Sequence, residues 1–260
     1  MASYLDYQEV ADKQFRRNIC FLARTLDDFR PDQCIKVGNG KPNILLLGDS
    51  HAAQYYKPMT EIFPKYNISQ ITAVGCRGVL PPVDHHVCYD LMRLAFSEYI
   101  PNNHFDAIII AGLWLPGDMI PLNKTIDYIA RYTSNIYVFG SSIRYAQKLP
   151  RMIASSYLSG RRGKIFPQMS AYAPLKDDDV EMQQELDKHA TYISTIDAIC
   201  PDSVCVTQID GVPSLFDDSH MTDVGAAYTL RHIFPNGEIP IGNLPPGVRS
   251  LKMTGVLKRA

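Results

Sequence analysis

This chain of 260 residues is short of several things, and each shortage closes off a class of protein. No apolar run approaches the ~20 residues of a membrane-spanning helix, and the longest, over 107–115, is strand-sized. There is no excess charge of either sign: 26 Lys and Arg stand against 27 Asp and Glu, a net charge of −1. Basic residues cluster only as pairs (Arg16-Arg17, Arg161-Arg162, Lys258-Arg259), so the basic face of a nucleic-acid binder is missing and no such partner is expected. The opening Met-Ala-Ser-Tyr has no basic segment leading into an apolar stretch, and therefore no export signal. Tryptophan occurs once, at Trp114.

What is present points to one sizeable α/β domain, because 46% hydrophobic residues over this length can bury a substantial core. The four apolar residues 44–47 read as a buried parallel strand. Gly48-Asp49-Ser50 then reads as a tight turn into a helix over 52–63, with Pro58 expected to kink or end its first part. This puts Ser50 at a strand's carboxyl end, where open α/β sheets bind ligands and where helix N–H groups lie free. Asp and Ser at such a place also serve as ordinary turn and N-cap residues. A second stretch near the far end, from Phe216 to Gly225, changes that balance. It supplies what a nucleophilic serine needs, a histidine (His220) with a carboxylate a few residues away (Asp217 or Asp218).

Further strands are expected over 68–74, 105–111, 136–139 and 204–208. Helices are expected over 7–29, 89–99, 177–198 and 223–233, with an irregular stretch over 144–176. Strands alternating with helices predict a three-layer α/β/α sandwich around a central parallel five-stranded sheet. Ser50, Gly75, Trp114 and the Asp217 loop would all lie at its carboxyl edge. A glycine at Gly75 also admits close backbone approach to a ligand. Residues 1–40 read as an extension that packs on the domain or joins it to a membrane portion, 41–235 as the catalytic domain, and 236–260 as a loop-like tail. His85-His86 next to Cys88 invites a zinc site, but no second cluster has ligand spacing, so neither metal nor cofactor is expected.

With Gly48-Asp49-Ser50-His51 early and Asp217-x-x-His220 late, the chain resembles the SGNH (GDSL-like) hydrolase superfamily. More narrowly it resembles the extracytoplasmic SGNH domain fused to acyltransferase-3 membrane proteins that O-acetylate surface polysaccharides. The narrower resemblance rests on Ser50-His51-Ala52-Ala53-Gln54, Gly75-Cys76, Cys88-Tyr89-Asp90, the short Cys200 to Cys205 loop, and Asp217 to Thr222, all in the family's order. It implies a flavodoxin-like fold with Ser50 as nucleophile, His220 as base, Asp217 as its orienting acid, and Ser50 and Gly75 as oxyanion donors. His51 and Trp114 are candidate substrate-binding residues, and two roles are open to Trp114, a platform for a sugar ring at the cleft or a place in the core. The wider superfamily adds an oxyanion Asn after the third strand. This chain has no Asn between Phe105 and Leu122, and the acyltransferase-linked members are similar in lacking it.

The resemblance also implies an oxidising compartment, periplasmic or at the outer face of a bacterial membrane. There the six cysteines would form disulfides, most simply between chain neighbours: Cys20 with Cys34, Cys76 with Cys88, Cys200 with Cys205. A membrane portion upstream would provide both export and the acyl donor, leaving Met1-Ala2-Ser3 as an appended start. The expected reaction is acetyl transfer through an acyl-serine onto a polysaccharide hydroxyl. The alternatives are a carbohydrate or small-ester acetylesterase and a catalytically decayed carbohydrate-binding module. The other common serine-hydrolase architecture would need Gly-x-Ser-x-Gly, which does not occur.

Overall fold

The computed structural model describes residues 7–38, 40–81, 86–115, 117–161, 172–186 and 188–242. The chain begins with helix α1 (Gln8–Phe15), a short strand β1 (Phe21–Leu22) and a single turn α2 (Pro31–Cys34). Strand β2 (Asn43–Gly48), buried along its whole length, then leads into helix α3 (Ser50–Ile62) and strand β3 (Asn67–Ala73). Helix α4 (His86–Leu94) continues through a wider turn into α5 (Ile100–Asn102), followed by β4 (Ala107–Ala111), α6 (Met119–Ile129) and β5 (Ile136–Phe139). The remaining elements are α7 (Leu149–Leu158), α8 (Tyr172–Glu185), β6 (Ala190–Ile193), α9 (Thr195–Ile199), the small hairpin β7 (Gln208–Ile209) and β8 (Val212–Pro213), and α10 (Asp223–Ile233).

Six strands form one parallel sheet in the order β1-β3-β2-β4-β5-β6. Successive side chains of a strand point to opposite faces, so β2 feeds two cores at once. Ile44 and Leu46 pack with residues of α3, α7, α9 and α10, among them Tyr55, Met152, Ile196 and Leu230. Leu45 and Leu47 pack on the other side with Leu91 of α4 and Leu122 and Ile126 of α6. These are the three layers expected. The chain leaves β2 for β3 on one side and later β4 on the other, so the carboxyl end of β2 is the switch point where such sheets open a crevice.

Several elements differ from the sequence reading, among them α6 (Met119–Ile129), which it did not place. The sheet has six strands because Phe21–Leu22 pairs with β3 as an added edge. The helix expected over 7–29 stops at Phe15, where Arg16 turns left-handed (φ 61), and the chain then enters β1. The helix expected over 177–198 ends at Glu185, and β6 follows at Ala190–Ile193. Asp179, the third acid of the presumed helix start, is instead buried against the Tyr192 hydroxyl and the Ser194 hydroxyl (2.6 Å for the latter), which docks α8 on β6. The strand expected over 204–208 is reduced to Gln208–Ile209, because the Cys200–Cys205 disulfide closes that stretch into a tight loop. Finally, the stretch expected to be irregular contains α7, and Pro58 does not interrupt α3.

All three neighbour disulfides are present: Cys20–Cys34, Cys76–Cys88 and Cys200–Cys205. Of the presumed tail, 236–242 packs on the domain, with the Tyr137 hydroxyl donating to the Pro240 carbonyl (2.6 Å) and Ile239 in the core. His85 and the side chain of His86 lie outside the described residues, as do 162–171 and 243–260. Among the described residues no helix is long and apolar enough to cross a membrane, and no cluster could hold a metal ion.

Candidate active site

Gly48 ends β2 with φ 144, and a Cβ there would fall 1.8 Å from the Ala111 carbonyl oxygen of β4. Only glycine allows the two strands to come this close at the edge where the site forms. Asp49 follows as the N-cap of α3, one carboxylate oxygen accepting the His51 N–H (2.7 Å) and the other the Leu113 N–H (2.8 Å). A single side chain thus ties the turn after β2 to the turn after β4. Burial pushes the Asp49 carboxyl up to about 6, against the pull of those two N–H groups and of the nearby His220 and Arg77 charges.

Ser50 is the first residue of α3, so its N–H belongs to the group that the helix ladder leaves unpaired. Its Oγ lies 2.8 Å from His220 Nε2, and His220 Nδ1 lies 2.8 Å from Asp217 Oδ2. The other Asp217 oxygen accepts the N–H groups of Ser219 (2.9 Å) and His220 (2.7 Å), which folds the loop so that the imidazole faces its own carboxylate. Asp217 is therefore the carboxylate against the ring. Asp218 contributes its backbone carbonyl, which accepts the Tyr145 N–H (2.9 Å). Burial alone would raise the Asp217 carboxyl, but His220 and the two N–H groups outweigh it and hold the group below the usual carboxylate value. A charged Asp217 calls for a proton on Nδ1, leaving Nε2 as acceptor for the Ser50 hydroxyl.

Around this relay the structure adds groups that the sequence reading left without a role. Gln54 is one turn beyond Ser50 on α3, fully buried, and its Oε1 accepts the N–H of Met221, the residue after His220 (2.8 Å). The helix that carries the nucleophile thus also holds the backbone of the base. Gln14 of α1, 1% exposed, donates its side-chain amide to the carbonyls of Gln54 (3.0 Å) and Met221 (3.3 Å). Phe216 stacks near-parallel to the His220 ring at 5.7 Å, and Phe15 sits tilted at 5.9 Å. The signal for Gln54 and Gln14 was Pro58: lacking an N–H, it leaves the carbonyl four residues back, that of Gln54, without its helical donor.

His51 is 3% exposed and stacks on His220 with ring centroids 4.6 Å apart. Burial first, then the charge of His220, lowers its pKa to about 3, so the ring is neutral when His220 takes up a proton. Its ring is packed against the base, with little of it open to the site. Of the two roles open to Trp114, its burial is that of the core. It is 7% exposed, packs in the core beside α4 and α6, and donates its indole N–H to the Phe139 carbonyl (2.7 Å). A ring so enclosed offers no face to a sugar. Gly75 lies in an exposed turn after β3 with φ 59, at the same edge of the sheet.

A parallel three-layer sandwich with a Ser-His-Asp relay at its carboxyl edge defines the SGNH class of folds. The family model described as the SGNH domain fused to AT3 domains matches residues 19–235, and the chain belongs to that family. Among solved structures, the periplasmic domain of a lipopolysaccharide acetyltransferase from Salmonella ser. Paratyphi A is similar over 90% of this chain and 95% of its own, with a TM-score of 0.71 and 22% identity. At that identity the likeness concerns the fold. A Streptococcus pneumonia protein described as a candidate platelet activating factor has a TM-score of 0.45 and 13% identity over 91% of this chain and 95% of its own, too distant to support an argument. No curated protein sequence matches the chain.

Proposed function

We propose that the chain is an O-acetyltransferase domain that moves an acetyl group through acyl-Ser50 onto a hydroxyl of a cell-surface polysaccharide. The observation that carries this reading is the unbroken relay from Ser50 Oγ through His220 to Asp217, with both links at 2.8 Å. Ser50 Oγ attacks the acyl carbon of the donor while His220 Nε2 takes its proton. Collapse of the tetrahedral adduct breaks the bond to the leaving group, which takes the proton back from His220. A sugar hydroxyl then gives its proton to His220 and attacks the acyl-enzyme, and Ser50 is restored with that proton. The Ser50 and Gly75 N–H groups are the oxyanion donors, supported by the start of α3 and the positive φ of Gly75.

Transfer rather than hydrolysis is supported by membership of a family fused to AT3 domains, which suits an acyl donor delivered at the membrane. The turn after β4, which carries the superfamily's Asn, offers neither that side chain nor the Leu113 N–H, which Asp49 engages, and a missing oxyanion donor slows transfer and hydrolysis alike, by about 100- to 1000-fold. Three disulfides suit an oxidising compartment on the outer side of the membrane. The test gives the purified chain an activated acetyl ester, with and without candidate glycans, and follows both acetate and acetylated sugar, with Ser50→Ala as control. Acetylated sugar formed at the expense of acetate is the expected result. Rapid acetate release with which no glycan competes would make the protein an esterase, and equal fluorophosphonate labelling of Ser50→Ala would remove Ser50 from the mechanism.

A further inference from the structure

Two arginines follow strands on either side of β2 in the sheet order, and they differ in one respect. Arg77, after β3, has its Nε 3.1 Å from the Asp118 carboxylate, both side chains largely buried, so its charge is balanced within the chain. Arg144, after β5, is partly buried and makes no hydrogen bond or ion pair with any of the described residues. The segment that carries it is nevertheless fastened on both sides. Ser142 Oγ accepts from Gln54 of α3 (3.3 Å), and the Tyr145 and Leu149 N–H groups donate to the Asp218 and Asp217 carbonyls (2.9 Å each). Arg144 thus lies between an anchor on the nucleophile's helix and an anchor on the base's loop. Its charge reaches His51, where it helps to keep that ring unprotonated.

Removing a guanidinium from water without giving it a partner costs free energy that nothing among the described residues returns. An anion brought by the substrate would return it, and the planar fork of an arginine suits a carboxylate or phosphate. Position distinguishes the reacting oxyanion from a more distant group. The Arg144 segment is tied to Gln54, one turn beyond Ser50, and to the Asp217 and Asp218 carbonyls, so Arg144 stands on the side of the base, which takes the proton of the incoming acceptor hydroxyl, rather than at the Ser50 N–H. We infer that Arg144 is a specificity residue that holds an anionic group, a carboxylate or a phosphate, of the acceptor saccharide, and that the enzyme selects acidic glycans. This rests on the serine acyl-transfer reading above.

The acyl step is reversible, so an acetylated sugar probes the acceptor site by acylating Ser50. The substrates are mono-O-acetylated methyl glucuronoside, mono-O-acetylated glucose 6-phosphate, neutral mono-O-acetylated methyl glucoside, and 4-nitrophenyl acetate. The readout is kcat/KM for acetate release by the parent chain and by Arg144→Gln. At least one anionic sugar should exceed the neutral sugar by about tenfold, the order expected of one charge-assisted contact, and which one identifies the group held. Arg144→Gln should abolish that advantage and leave the two neutral substrates within about twofold. The inference is overturned if the parent shows no anionic preference, if the preference survives in Arg144→Gln, or if the variant loses all four substrates equally. Failure of the parent on 4-nitrophenyl acetate together with failure of Ser50 labelling would instead overturn the acyl-transfer reading itself.

Discussion

Gln14→Leu is the substitution that most directly tests how the base is held. The Gln14 side-chain amide serves two buried carbonyls, those of Gln54 and Met221, and the first has no helical donor because Pro58 occupies the position four residues on. Each carbonyl left unpaired costs about 1 to 3 kcal/mol. Part of this is returned, because Gln14 Oε1 is itself buried with no hydrogen-bond partner among the described residues, and leucine removes it. A net loss of about 2 kcal/mol in urea unfolding is expected. Met221 adjoins His220, so turnover of 4-nitrophenyl acetate should fall by about tenfold through kcat, with KM little changed. The decisive arm is Pro58→Ala, which restores the helical N–H to the Gln54 carbonyl. In that background Gln14→Leu should cost about 1 kcal/mol less, a coupling that a four-protein cycle measures. Additive effects, within about 0.5 kcal/mol, would refute the link between Pro58, Gln54 and Gln14.

Two further predictions concern the carboxylates. Asp49 titrates at about 6 when folded, above its ordinary value of 3.8, so the folded state binds its proton more tightly than the unfolded chain does. The associated stability is fully present below about pH 4 and is lost as pH rises through about 6, roughly 3 kcal/mol in all. Asp49→Asn should lack this contribution, and identical pH slopes of unfolding free energy in parent and variant would contradict it. Asp217→Asn would turn an amide N–H toward Nδ1 and favour the tautomer that cannot accept the Ser50 proton. kcat on 4-nitrophenyl acetate should fall by about 10,000-fold with the fold retained, and a loss under about tenfold would show that Asp217 does not orient the base.

The layers, the strand end that carries Ser50 and the relay were legible in the sequence because each depends on local signals. The apolar run of β2, the turn at Gly48-Asp49-Ser50, and the three-residue spacing that lets Asp217 fold back on His220 all lie within short windows. What escaped was set by contacts distant in sequence. Phe21–Leu22 is too short to read as a strand and exists through its pairing with β3. β6 was hidden by an acidic helix start whose third acid is buried beneath Ser194. For Trp114, after β4, spacing leaves cleft and core equally open, because the rotation of the ring into the core is set by packing and by its bond to the Phe139 carbonyl. Gln14, upstream of the family match that starts at residue 19, had no local pattern and could have been traced only from the carbonyl that Pro58 leaves open.

The two residues of β1 also have a bearing on self-association. β3 is seven residues long, and its outer margin would lie open but for the segment 15–36: Phe21–Leu22 pair with Thr72 and Ala73 at its carboxyl half, and Ser69 and Gln70 bond the Lys36 backbone and the Phe15 carbonyl. Unpaired margins of this kind recruit strands from other molecules. So short a guard has little hold of its own, and the Cys20–Cys34 bridge pins the loop beside it. Phe21 also packs with Phe15, Ala53 and Phe216, next to the relay, so loosening this guard under reducing conditions would disturb the base along with the margin of β3. Handling of this protein is then governed by redox state: thiol reagents would lower its solubility and its turnover together.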